Sequence, residues 1–333
     1  MDSAARATPR LLRYLTALVG IGSITVATAA GAGEATIELY ESTREGPWGE
    51  PLTQFHAALD NHPNATGDFP FGGPNISSRY VRRQDGGGEI DGWSWSIAVA
   101  SDISLENSDK QTDLANQSDL FYVGGIITLN APESLLNSTG HLTVSDDWEM
   151  CTFRWLLNGF NYTDRLRSDD GTCTSVLTEQ CISYLKEAAY DNHHQGSVCS
   201  CPMLDDVGPC EDLGERSAVL GHSCTAQRYN ASDFREWEDG KLDVHLFGDK
   251  QPHDFGDTAN YDDIGSLAWP IITTFKNRTG AEEFSNARSF MSCVRAMDAV
   301  DGSDAPEFES RASGLGVTWA RIGIVLALCI LTL

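Results

Sequence analysis

Positive charge is scarce in this chain: 23 Lys and Arg stand against 48 Asp and Glu, a formal net charge of −25. No basic stripe reverses that locally, so the surface repels phosphate backbones and anionic lipid headgroups, and nucleic acid is excluded as a partner. Catalytic signatures are missing as well. There is no G-x-S-x-G elbow, no H-E-x-x-H, no phosphate-binding glycine loop and no calcium-loop spacing of the EF-hand kind. No cofactor motif is present and none is expected. Nor does the chain hold an apolar run long enough to cross a bilayer, which takes about 20 residues. Cysteine is absent between Ala30 and Met150. That stretch must rely on apolar burial and strand pairing.

The two ends hold the apolar runs there are. Arg6, Arg10 and Arg13 precede an apolar segment from Tyr14 to Val26, followed by Ala27, Thr28 and Ala29. This is the three-part layout of a secretory signal peptide, expected over residues 1–29. At the other end Ile322–Leu333 carries no charge. As a helix it would reach about 18 Å, well short of the roughly 30 Å hydrocarbon core. A spacer holding Arg321 and the small residues Ala312, Ser313 and Gly314 come before it. Small site, spacer and short apolar tail form the pattern for exchange of the tail for a GPI lipid. Ala312 is the expected attachment residue, with Ser310 the alternative. Residues 301–312 are a short stalk and 313–333 the removed propeptide.

Cysteine parity agrees with both cuts. Removing the tail takes Cys329 with it, leaving Cys151, Cys173, Cys181, Cys199, Cys201, Cys210, Cys224 and Cys293. An even set in a secreted chain predicts disulfides rather than a metal site, with Cys199 and Cys201 bonded to different partners. The sequence does not choose the pairing. Sequons at Asn64, Asn75, Asn116, Asn137, Asn161, Asn230 and Asn277 fit the same route and place those loops at the surface.

Residues 30–160 read as a β-rich part and residues 161–300 as a cysteine-rich part with helices. Trp93, Trp95, Ile97 and Val99 alternate with small or polar neighbours, the period of a strand with one buried face. That continuity assigns both tryptophans to the core rather than to a sugar-binding surface. Leu120–Leu129 is a more continuous apolar strand, with Gly124-Gly125 read as a bulge or tight turn. Cys151, Phe153 and Trp155 share one face of the next strand. Leu242–Phe247 and Ile271–Phe275 are weaker strand candidates. Leu177, Cys181, Ile182 and Leu185 make a helical stripe behind Ser175 as N-cap. A second helix is expected from Ala281 to Ala299, with Thr279 and Glu282 as capping box and Ala287, Phe290, Met291, Val294 and Met297 on its apolar face. The fold class is therefore α+β: an antiparallel, sandwich-like first half and a disulfide-stapled part with two or more helices.

Candidate chemistry is sparse. Asp254, Asp257, Asp262 and Asp263 could gather oxygen ligands for calcium, or supply an acid/base pair for glycoside hydrolysis. His193-His194 lies in a polar stretch read as a solvated loop. Arg82-Arg83, beside Gly86–Gly88, is a candidate processing site.

Signal, tail, sequons and the cysteine-rich stretch Cys173–Cys210 (CTSVLTEQC, then CSCPMLDDVGPC) together resemble secreted or GPI-anchored surface glycoproteins of filamentous fungi. The resemblance is one of layout and brings no catalytic residues. It implies a non-enzymatic protein at the outer face of the plasma membrane or in the wall, with wall glycans or a host surface as partners. The alternative is a cell-surface carbohydrate-binding or carbohydrate-active protein.

Overall fold

The computed structural model describes residues 39–42, 44–78, 89–106, 108–109, 119–156, 165–166, 169–195, 199–202, 209–210, 224–258, 260–277 and 288–303. Two antiparallel sheets form the centre of the fold. In the first, β2 (Ala65–Pro74), β3 (Glu89–Ser104) and β4 (Leu120–Asn130) make a meander. β7 (Lys241–Asp249) continues it beyond β4, and β1 (Leu39–Ser42) forms one edge. β11 (Asp298–Ala299) forms the other edge, and β8 (His253–Asp254) pairs with the start of β4. The second sheet has the order β10 (Arg288–Val294), β9 (Trp269–Asn277), β5 (Trp148–Arg154), β6 (Thr225–Asn230). The sandwich expected of this α+β chain is thus present, but it is assembled from both halves of the sequence. β7, β8 and β11, all from the cysteine-rich part, complete the first sheet.

Four helices are seen among the described residues: α1 (Leu52–Asn61), α2 (Glu179–Gln195), α3 (Ala231–Arg235) and α4 (Tyr261–Gly265). Three apolar clusters trace the layers. Between the sheets lie Trp93, Trp95, Ile97 and Val99 of β3 against Met150 of β5 and Trp269, Ile271 and Phe275 of β9. Outside the first sheet, Phe55 and Leu59 of α1 cover Ala100, Ile103, Tyr122 and Leu246. Outside the second sheet, Leu185 and Ala189 of α2 cover Phe153, Trp155 and Ile272. The order is helix, sheet, sheet, helix. The polar-looking side of β3 is therefore not simply solvated, since its alanines lie under α1.

Three local expectations are corrected. Gly124-Gly125 makes neither turn nor bulge; both sit in register within the central strand β4. A Cβ on Gly125 would lie 2.5 Å from the Phe247 ring and 2.8 Å from the Ala98 carbonyl, so glycine is there to let that ring cross the strand. The helix expected over 281–299 is replaced, over its described part, by β10 and β11; Thr279, Glu282 and Ala287 fall outside the described residues. Phe290 faces the inter-sheet core while Met291 faces the α2 layer, so neighbours that imitated a helical stripe occupy opposite faces of a strand. Pairing with β9 and the Cys173–Cys293 bond override the local periodicity. Finally, α2 begins after Thr178, whose hydroxyl accepts from Cys181 N at 3.1 Å. Thr178, not Ser175, therefore caps it.

Gly125→Ala is expected to cost about 1–3 kcal/mol by overpacking. The urea midpoint should fall with the slope unchanged; an unaltered midpoint would mean that Phe247 moves aside freely.

Candidate functional site

The eight cysteines pair as Cys151–Cys199, Cys173–Cys293, Cys181–Cys210 and Cys201–Cys224. Cys199 and Cys201 have separate partners, as expected. The longest loop, of 120 residues, is closed where a buried carboxylate organises the chain. Asp169 accepts from the backbone N–H of Gly171, Cys173 and Ser175 at 2.8–3.0 Å. This folds 169–175 tightly enough to hold Gly171 and Cys173 at positive φ. Cys293 N then donates to Gly171 O at 2.8 Å, so backbone and sulfur join the same two segments.

His193 departs from the solvated loop expected for it. It lies in α2, continuing the stripe of Cys181, Leu185 and Ala189 at four-residue spacing, and is buried. Its Nδ1 is 2.6 Å from Thr274 Oγ1 on β9, and its Nε2 is 3.9 Å from Glu149 Oε2 on β5. Glu149, also buried, pairs with Arg228 on β6, and Lys276 Nζ donates to the His193 carbonyl at 3.4 Å. One ligand atom each from His193, Cys151 and Cys199 falls within 4.8 Å of the others. With the two sulfurs bonded to each other, this trio is a disulfide wedged under a histidine; the thiolates a metal would need are consumed.

A second buried polar group closes one end of the first sheet. Tyr122 donates to Glu50, which also accepts from Trp48 N at 3.0 Å. Asp249 accepts from Val123 N at 3.2 Å and from Asn260 Nδ2 at 3.0 Å, while Trp48 Nε1 donates to the Asp249 carbonyl at 2.9 Å. Burial raises the Asp249 carboxyl from the usual 3.8 to about 6, against the lowering effect of Asn260, His253 and Val123. Burial, then the Glu50 charge, pushes the Tyr122 phenol well above its ordinary value. The turn before α1 is thereby tied to β4 and β7.

A third group lies between the sheets. Arg154 projects inward from β5 with its side chain 5% exposed, 3.7 Å from Glu41 of the edge strand β1 and 5.8 Å over the Trp269 ring. Burial lowers its pKa to about 10. His245, fully buried on β7, has its ring centroid 4.7 Å from that of Trp269. Burial first, and the Arg154 charge second, hold its pKa well below the usual 6.5. The imidazole is neutral at physiological pH.

The acidic residues singled out from sequence divide between two places. Asp254 and Asp257 flank an exposed turn closed by Asp257 N donating to Asp254 O at 3.0 Å, whereas Asp262 and Asp263 lie in the first turn of α4. Among the described residues, the Cys151, His193 and Cys199 trio is the only group of three metal-ligating side chains that converge within 4.8 Å; the four aspartates do not form one. Between Asp254 and Asp257, Phe255 is 75% exposed with its ring 5.2 Å from that of Phe121. Asn137 is exposed, and Asn64, Asn75, Asn230 and Asn277 are half-buried. In Asn75, Asn137 and Asn230 the Oδ1 accepts from both the backbone N–H and the hydroxyl of the Ser or Thr two positions on. Those bonds leave the amide nitrogen, the atom a glycan would join, unused. Asn116, Asn161, Arg82-Arg83, the signal segment, Ser310 and Ala312 lie outside the described residues.

All seven described tryptophans are buried: Trp48, Trp93, Trp95, Trp148, Trp155, Trp237 and Trp269. The alternation of β3 signalled this for Trp93 and Trp95. The interior polar groups gave no such signal, because Glu50 meets Tyr122, and Arg154 meets Glu41 and Trp269, only after the sheets form.

Fold and covalent framework together define a disulfide-stapled α+β protein of two antiparallel sheets, of the kind built for an oxidising compartment. Comparison with protein-family models, with curated proteins and with solved structures finds no match to this chain.

The buried titratable groups predict opposing pH effects. His245 has a depressed folded pKa, so its contribution is complete above the unfolded value near 6.5 and is lost as pH falls below it, when the unfolded chain takes up the proton first. Asp249 has a raised folded pKa, so its contribution is complete below about 3.8 and is lost as pH rises through about 6. Replacing His245 with Phe should therefore flatten the acid-side loss. Asp249→Asn should remove an opposite slope of about 1–3 kcal/mol over pH 4–6.5. Urea unfolding across pH 4–8 reads both, and parallel curves for wild type and variants would count against these assignments.

Proposed function

We propose that this chain is an extracellular glycoprotein tethered by a GPI lipid to the outer face of the plasma membrane or to the wall. There it acts through contact with wall glycans or another cell's surface and not through catalysis. The observation that carries this reading is the cysteine framework. Every cysteine outside the apolar tail is paired, and the one unassigned to a bridge, Cys329, lies in the segment whose removal the GPI pattern requires. Three half-buried or exposed sequons with a free amide nitrogen, and an acidic surface that stays soluble when displayed at high density, support the same placement. Among the described residues no helix is long and apolar enough to cross a membrane.

A carbohydrate-active protein would set tryptophans on a concave surface beside two convergent carboxylates. The burial of the seven described tryptophans takes away its platform.

Phosphatidylinositol-specific phospholipase C should release the protein from intact membranes into the aqueous phase, with peptide-N-glycosidase then lowering its apparent mass. Recovery of the 322–333 peptide from the mature membrane-bound form would overturn the anchor. A protein that reaches the surface with no sensitivity to either enzyme would overturn the reading as a whole.

A further inference from the structure

We propose that the Cys151–Cys199 bridge masks a zinc site: once a dithiol reductant has opened the bond, the two thiolates and the His193 imidazole hold one zinc ion in its place. One ligand atom from each of Cys151, Cys199 and His193 lies within 4.8 Å of the other two, and all three residues are buried. Among the described residues no other cysteine belongs to such a group. Ligand atoms sharing a tetrahedral zinc, with Zn–S about 2.3 Å and Zn–N about 2.0 Å, stand about 3.5–3.8 Å apart, so the imidazole has to approach by only about 1 Å. The Cα atoms of the two cysteines are 6.0 Å apart, which lets their sulfurs part by side-chain rotation while the backbone stays in place.

Strand register supplies the surroundings. Cys151 has Thr274 of β9 opposite it on one side and Arg228 of β6 on the other. Thr274 Oγ1, 2.6 Å from His193 Nδ1, fixes the ring so that Nε2 is the ligating nitrogen. Glu149, on the same face of β5 as Cys151, has Oε2 3.9 Å from that Nε2 and is placed to complete four-coordination. Two thiolates and this carboxylate are balanced by the divalent ion and the Arg228 guanidinium, so the loaded cluster is neutral where it is buried. The sulfur pair selects zinc over calcium or magnesium. Because β6 is an edge strand and the Arg228 side chain is 37% exposed, the cluster lies one strand in from solvent. The reductant passes two electrons and two protons to the S–S bond and becomes a cyclic disulfide; zinc binding then releases both thiol protons to water. Bond and ion are alternative fastenings of the same point, so α2 keeps its seat in either redox state.

The test reduces the purified protein with a dithiol, removes the reductant, and reoxidises the chain with zinc, with calcium or with a chelator. Alkylation mass spectrometry then reads each cysteine. With zinc, Cys173–Cys293, Cys181–Cys210 and Cys201–Cys224 should re-form while Cys151 and Cys199 remain thiols that alkylate once the ion is stripped, at one zinc per chain. Calcium should leave all four bridges closed. Cobalt in place of zinc should give tetrahedral absorption with a thiolate charge-transfer band. Thr274→Val, which removes only the hydroxyl that orients His193, should weaken cobalt binding about 10- to 100-fold. His193→Ala should abolish it, and if that variant does not fold, Thr274→Val and the map of protected thiols decide. Closure of all four bridges in zinc as fast as in chelator, protected thiols scattered over all the cysteines, or equal cobalt affinity in wild type and Thr274→Val would overturn the proposal.

Discussion

The interior strand β5 of the second sheet has no face to give to water. All seven residues of β5 are buried, so Trp148, Met150, Thr152 and Arg154 must be covered on one side and Glu149, Cys151 and Phe153 on the other. An antiparallel sheet with one solvated face could stand on a single partner layer. This one needs two. The first sheet supplies one cover; α2 and the segments joined by cystine supply the other. Most of the remaining architecture follows from that demand, including the return of the chain after residue 224 to add β6 to the second sheet, β7 and β8 to the first, β9 and β10 to the second and β11 to the first.

Where the outer cover is thin, covalent bonds stand in for apolar area. The α2 stripe consists of Cys181, Leu185, Ala189 and His193, of which only Leu185 is a large apolar side chain. Two of the four bridges end directly beneath or within this helix, at Cys151–Cys199 and Cys181–Cys210, and a third fixes β10 beside it. Native bridges of such loop lengths stabilise by about 2–5 kcal/mol each, comparable with burying one or two large side chains. The helix is held by sulfur as much as by packing.

The same double coverage explains the buried polar groups. A strand covered on both faces cannot send a charged residue to solvent by alternation, so Arg154 and Glu149 must find partners inside. Glu149 is met by Arg228 and His193 in the outer layer. Arg154 is met only at a distance, by Glu41 and a backbone carbonyl. The two faces of one strand thus differ: Glu149 has a close guanidinium partner on β6, and Arg154 a more distant carboxylate on β1.

Period-two alternation made β3 and the inward direction of Trp93 and Trp95 legible from sequence, because each position repeats a simple rule about one buried face. The even number of cysteines outside the tail likewise announced four bridges, and the strands around Leu242–Phe247 and Ile271–Phe275 could be read from their apolar runs. What failed was local periodicity where two buried faces meet: Phe290 and Met291 look like a helical stripe and are opposite sides of β10. Gly124-Gly125 looks like a turn and is a stretch of β4 crossed by the Phe247 ring at Gly125 and the Tyr122 ring at Gly124. The choice among 105 possible disulfide pairings, the burial of His193, and the meeting of Arg154, His245 and Trp269 depend on residues dozens to more than a hundred positions apart. Composition and spacing act along the chain and so determined the oxidised cysteine framework, the fold class and the core-facing strand. Sheet order acts across it, and only the tertiary structure decided which polar side chains are enclosed together.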